Sequence, residues 1–134
     1  MADLPIKEDL IQDLLSRITS SDDNEREAAI EALAVSTEDE DWRPNELIRQ
    51  GGIEIIGGLL GDTNSHVVVS ALNIIIATAA TGCEEELISA GIIALLDPMQ
   101  DHEDKVIRGK VREALWLLTP EVEDVVTSKP QDDY

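Results

Sequence analysis

Aromatic residues are almost missing from this chain: it has no Phe, one Tyr and two Trp among 134 residues. The 43 % hydrophobic fraction is enough for the core of one domain, and that core has to be aliphatic. Cysteine is scarce too. Cys83 alone excludes an internal disulfide, so a reducing compartment is expected, the cytoplasm first and the nucleus second. Basic residues are few: 10 Lys and Arg stand against 29 Asp and Glu, for a net charge of −19, and none lies between residues 50 and 104. Such a chain repels nucleic acid and anionic membranes and favours basic partners. The same acidity also keeps an aliphatic surface in solution. The opening MADLPIKEDL has no basic stretch followed by an apolar run, so it does not read as a signal peptide.

Catalytic signatures are missing as well. There are two His, no G-x-S-x-G and no phosphate-binding loop. DHED, residues 101 to 104, puts carboxylates beside His102, but four consecutive residues rarely converge on a metal, and it reads as a polar loop between helices. Glu84, Glu85 and Glu86 suit the negative start of a short helix. Cys83 reads as a small buried residue. No enzyme, no cofactor and no metal site is expected.

What is present is apolar and periodic. HVVVSALNIIIATAAT, residues 66 to 81, carries two β-branched triplets and almost no polar face. It is too short for a membrane span, which needs about 20 apolar residues, and it includes Ser70, Asn73 and Thr78. Two buried strands would suit the triplets. No turn signal separates them, however, and Ala-rich sequence continues the run, which favours one helix.

The chain also repeats itself. ELIRQGGIEII (46 to 56) and ELISAGIIALL (86 to 96) match at an offset of 40. Ala29-Ile30, Ala71-Leu72 and Ala114-Leu115 align at offsets of 42 and 43, and Ile11, Leu14 and Ile18 stand 42 before Ile53, Ile56 and Leu60. A period of about 40 marks stacked helical repeats. The units fall at about 7–36, 45–80 and 84–119, within one domain spanning 1–120; residues 121–134 form an acidic tail expected to be flexible. Middle helices are expected at 7–20, 53–61 and 92–100, long ones at 24–36, 66–80 and 104–119, and short ones at 45–50 and 84–90. Gly51-Gly52 and Gly91 would end the short helices. Pro44 would start one, Ser65 would cap the central long helix, and Pro120 would stop the last. In such a stack the central long helix is covered on both sides, which accounts for its apolar composition, while the outer units keep a polar face. Gly57 and Gly58, inside a helix, mark a close approach of the next one.

GGIEIIGGLLGDTNSHVVVSALNIIIATAA resembles the armadillo repeat: Gly-Gly-Ile, paired aliphatics, a short polar loop, then Val and Ala-Leu on a long helix. AGIIALLDPMQ…REALWLL is a second match, with three extra residues in its loop, and DLLSRITSSDDNEREAAIEALA a weaker third. The resemblance implies an all-α fold, an α-solenoid or right-handed superhelix of about three armadillo-like repeats. It also implies a non-catalytic scaffold whose long helices line a groove for extended peptides. In the nuclear-import receptors of that family a Trp follows Ala-Leu and an Asn comes four residues later. Here those positions hold Glu31, Asn73 and Trp116, then Val35, Ala77 and Pro120. One of the six matches, so the resemblance does not extend to that grip on nuclear-localisation signals. Armadillo lobes also occur in nucleotide-exchange factors of the Hsp70 chaperones, which gives a second reading as a chaperone cofactor.

Four-residue spacing places Glu27 and Glu31 on one stripe of the first long helix. Val69, Asn73 and Ala77 form the stripe of the central helix, and Lys105, Arg108, Arg112 and Trp116 that of the last. The groove so lined is acidic at one end, apolar in the middle and basic-aromatic at the other. The expected partner is another protein, or an extended or amphipathic peptide with basic segments, and neither nucleic acid nor membrane. Trp116 with Arg112 is either the hot spot of that groove or the packed end of the core. Exposed repeat ends also allow a homo-oligomer.

Overall fold

Apolar residues at helical spacing need neighbours to cover them, and the chain provides these by folding into three consecutive groups of helices. The computed structural model describes residues 7–39, 42 and 44–119. The first group is α1 (Lys7–Ile18) and α2 (Asp23–Ser36). The second is α3 (Asn45–Arg49), α4 (Gly52–Gly58) and α5 (Ser65–Ala80), and the third α6 (Glu84–Ser89), α7 (Ile92–Leu96) and α8 (Lys105–Leu118). No strand occurs among the described residues, so the two β-branched triplets lie in one helix. The tail at 121–134 and the expected stop at Pro120 lie outside the described residues.

The middle helices are shorter than the periodicity suggests. α4 gives way to a 3₁₀ turn at Leu59–Gly61 and α7 to one at Asp97–Asp101. Pro98 lacks the N–H that would continue α7, and Gly57, Gly58 and Gly61 give α4 poor helix propensity. Gly51 and Gly91 take the left-handed backbone expected where short and middle helices meet, with φ of 76° and 81°. Gly52 does not: it opens α4, and a Cβ there would lie 2.3 Å from Leu47 Cδ1 and 2.9 Å from its carbonyl oxygen. α5 is capped by Asn64, whose side chain accepts from the His66 N–H, while Ser65 is already helical. Asp22 and Asp104 cap α2 and α8 in the same way. In the DHED loop, His102 Nδ1 accepts the Asp104 N–H at 2.9 Å. Cys83 is only half-buried.

These caps set the register of the long helices. Asn64 and Asp104 stand 40 apart, and so do the buried pairs Leu47 and Leu87, Ile56 and Leu96, Val67 and Ile107, and Ile74 and Ala114. No extra residues therefore separate the second and third groups. Ala114-Leu115 is not the counterpart of Ala71-Leu72, and Trp116 corresponds to Ile76 instead of Asn73. The Ala-Leu match misleads because α8 happens to repeat that pair one turn later.

α5 is buried on two faces. Val67, Ala71, Ile74 and Thr78 share one, and Val68, Leu72, Ile75 and Ala79 the other. Thr78 satisfies its hydroxyl by donating to Ile74 O at 2.8 Å. In α8 the counterparts of the first face, Ile107, Val111, Ala114 and Leu118, are buried, and Arg108 and Arg112 on the second face are not. In α2 the pattern reverses: Ile30 and Leu33 are buried, Glu25 and Ala32 exposed. The first face thus turns toward the preceding repeat and the second toward the following one. Arg26, on the second face of α2, agrees, because its Nε donates to Asp62 Oδ2 in the next repeat at 2.8 Å.

Two predictions arise from this packing. A Cβ on Gly57 would meet Ile92 Cδ1 at 3.0 Å and Leu95 Cδ1 at 3.1 Å, whereas one on Gly58 meets nothing within 4 Å. The expected close approach holds for Gly57 alone. Gly58→Ala therefore stabilises by about 1 kcal/mol through helix propensity, and Gly57→Ala is less stable than Gly58→Ala by at least about 1 kcal/mol, because the fully buried Ile92 has no room to move. Urea denaturation of the two variants checks the order.

Asp62 joins the first and second repeats. Burial pushes its carboxyl up, but the Asn64 N–H and the Arg26 guanidinium outweigh this and hold it below the usual carboxylate value. Asp62→Ala removes those bonds and costs about 2 kcal/mol near neutral pH. A depressed carboxyl contributes stability above its unfolded pKa, about 3.9, and loses it as pH falls through the folded value. The gap between wild type and Asp62→Ala closes below about pH 4; a gap that stays constant into stronger acid contradicts this role.

A candidate binding face on the long helices

On each long helix one stripe lies opposite the core. In α2 it holds half-buried Glu27 and exposed Glu31 and Val35. In α5 it holds half-buried Val69, Asn73, Ile76 and Ala77, the open strip of an otherwise sealed helix. In α8 the cap register brings Gly109, Glu113, Trp116 and Leu117 to the same place. All but Leu117 are exposed.

The stripes of α2 and α5 meet. Asn64, capping α5, donates its amide Nδ2 to Glu27 Oε1 at 2.8 Å. Ligand-type atoms of Glu27, Glu31 and His66 lie within 4.8 Å of one another. Among the described residues this is the one group close enough to hold a metal ion, and it is equally suited to receive a Lys or Arg side chain from a partner. No Lys or Arg among the described residues forms an ion pair with either glutamate. His66 was not legible as a member, because it comes from a different helix than the two glutamates and no sequence spacing links them.

At the α8 end the expected residues divide. Trp116 is 68 % exposed and is therefore not packed into the end of the core. Its equivalence to Ile76 sets it on the edge of the stripe, and Lys105 is exposed at the start of the same helix. Arg108 and Arg112 turn away. Arg108 Nη1 donates to His102 O at 2.8 Å and Arg112 Nη2 to Gln100 O at 3.2 Å, on the face that would meet a following repeat. Ile76, Glu113 and Leu117 were missed by the sequence reading. Ile76, seven residues after Val69 and three after Asn73, could have been found from helical spacing alone.

Among the described residues no helix is long and apolar enough to cross a membrane. No family model and no curated protein matches the chain. Solved structures do match. A designed armadillo repeat protein is 23 % identical, with a TM-score of 0.72 over 81 % of this chain and 46 % of its own. Two engineered proteins solved as structural-genomics targets are each 20 % identical with TM-scores of 0.69, covering 80 % and 81 % of this chain and 44 % and 27 % of theirs. The chain therefore has an armadillo-like repeat fold, and it spans less than half the length of the structures it matches.

Proposed function

We propose that this chain is a non-catalytic scaffold that binds a segment of another protein along the stripe crossing α2, α5 and α8. The observation that carries the reading is α5 itself. A helix buried on two faces keeps one half-open strip of mixed chemistry, with the Asn73 amide between Val69 and Ala77. An asparagine there can bond an extended backbone on both its donor and acceptor sides, and the aliphatic residues beside it offer apolar contact. Glu27, Glu31 and His66 receive a basic end of the segment, and Trp116 closes the other end as the aromatic anchor. Lys105, exposed at the start of α8, supplies positive charge at that far end, which suits an acidic residue on the segment. The partner is thus an extended or amphipathic peptide, basic at one end and apolar at its centre.

Fluorescence tests this directly, since the other tryptophan, Trp42, is buried and Trp116 is exposed. Peptides with a basic end and an apolar centre are expected to shift Trp116 emission, and Glu31→Lys to weaken them in proportion to the peptide's basic charge. Equal affinity for basic-ended and acidic-ended peptides, or no binding by either, rules the reading out.

A further inference from the structure

Glu27 and Glu31 stand four apart on α2, so the helix sets both carboxylates on one side. Across the junction, His66 lies in the first turn of α5. Two bonds tie the start of α5 to α2 at this level, Arg26 Nε to Asp62 Oδ2 and Asn64 Nδ2 to Glu27 Oε1, each at 2.8 Å. The second orients the Glu27 carboxylate and, among the described residues, leaves its other oxygen without a partner. Arg26, the cation nearest in sequence, is committed elsewhere: to Asp62, to Asp23 and to the Ser20 carbonyl. Two carboxylates and an imidazole therefore share one small space without a cation of their own.

We propose that Glu27, Glu31 and His66 form a binding site for a divalent transition ion of the zinc type, which clamps the first repeat to the second. The donor set decides the class of ion. Calcium takes six to eight oxygens and magnesium a near-ideal octahedron of them, whereas this site offers an imidazole nitrogen with two carboxylates. That mixture suits zinc, which accepts three protein ligands and leaves a fourth position to water. Bonds of about 2.0–2.2 Å draw tetrahedral ligand atoms to about 3.4 Å from one another. The three here lie within 4.8 Å, and Glu31 and His66 are exposed, so they swing inward without disturbing the core. Asn64 is the outer partner that keeps one ligand in place. An ion shared by α2 and α5 binds the folded stack and not the open chain, so it stabilises their junction. It also occupies the carboxylates that the function proposed above gives to the basic end of a peptide, and this one consequence rests on that reading.

Calorimetric titration of the full chain with zinc alone, without peptide, tests the site. One tight equivalent is expected, with magnesium and calcium at least about tenfold weaker, and zinc is expected to raise the midpoint of urea unfolding. His66→Ala and Glu31→Gln, both at exposed positions, each weaken zinc at least about tenfold and abolish the gain in midpoint. His102→Ala is the control: the chain's other histidine lies among Asp101, Glu103 and Asp104, and its loss leaves both readings unchanged. Circular dichroism verifies that each variant folds. Zinc binding no tighter than magnesium, an affinity that His66→Ala leaves intact, or one that His102→Ala removes overturns the proposal. Peptide binding is read separately, and basic-ended peptides are expected to lose affinity at saturating zinc. A peptide that binds equally with and without zinc counts against the basic-end role of Glu27 and Glu31, and not against the ion site.

Discussion

A Leu72→Ala variant unfolds more easily than the wild type by about 3 kcal/mol, within the 2–5 kcal/mol range of buried leucine truncations. Leu72 is fully buried on the face of α5 that turns toward the third repeat, and α5 with α8 forms the most extensive helix contact among the described residues. Truncation removes the transfer free energy of three carbons and leaves a cavity that flanking helices close only in part. Against a total stability of about 5–15 kcal/mol, the loss is large. It also falls on the junction between repeats, so the third group is expected to unfold partly on its own, which lowers the apparent urea m-value. Val106→Ala is the control. Val106 is exposed, and its loss changes stability by less than about 0.5 kcal/mol. Equal effects from the two substitutions contradict the packing described for α5.

Trp116→Ala separates binding from folding. The indole is largely exposed, so its removal leaves stability within about 0.5 kcal/mol of the wild type. As the aromatic anchor of the stripe it carries about 2 kcal/mol of binding or more, and the affinity for the tightest peptide of the panel drops at least about 30-fold. Calorimetry supplies the affinity, since the variant lacks the fluorescent reporter. Arg112→Ala is expected to cost less, because the Arg112 guanidinium is already engaged by the Gln100 carbonyl and a partner would have to compete for it. Lost stability with unchanged affinity returns Trp116 to a packing role.

Much of the fold was legible because helices announce themselves locally. The 40-residue echo of ELI and Gly and the apolar run at 66–81 are set by residues within one or two turns of each other. They gave the all-α repeat architecture and the long helices to within a residue at each end. Helix ends that depend on weak propensity were less legible: α4 and α7 tighten into 3₁₀ turns where glycines and Pro98 remove support for a further turn. The candidate site was half legible. Glu27, Glu31, Val69, Asn73 and Ala77 share one face because four-residue spacing demands it. The same rule, applied to a misaligned Ala-Leu pair, grouped Arg108 and Arg112 with Trp116.

The order of residues along the chain determined which segments coil and which of their sides are apolar, since both follow from near neighbours and the 3.6-residue period. Only the folded stack decided how one helix is phased against the next. That phase is fixed by side chains about 40 positions apart, through contacts such as Arg26 with Asp62 and Gly57 beside Ile92. It brought His66 to Glu27 and Glu31, and it turned Arg108 away from the stripe that holds Trp116, because the angle between packed helices is a property of their shared surface and of neither sequence alone.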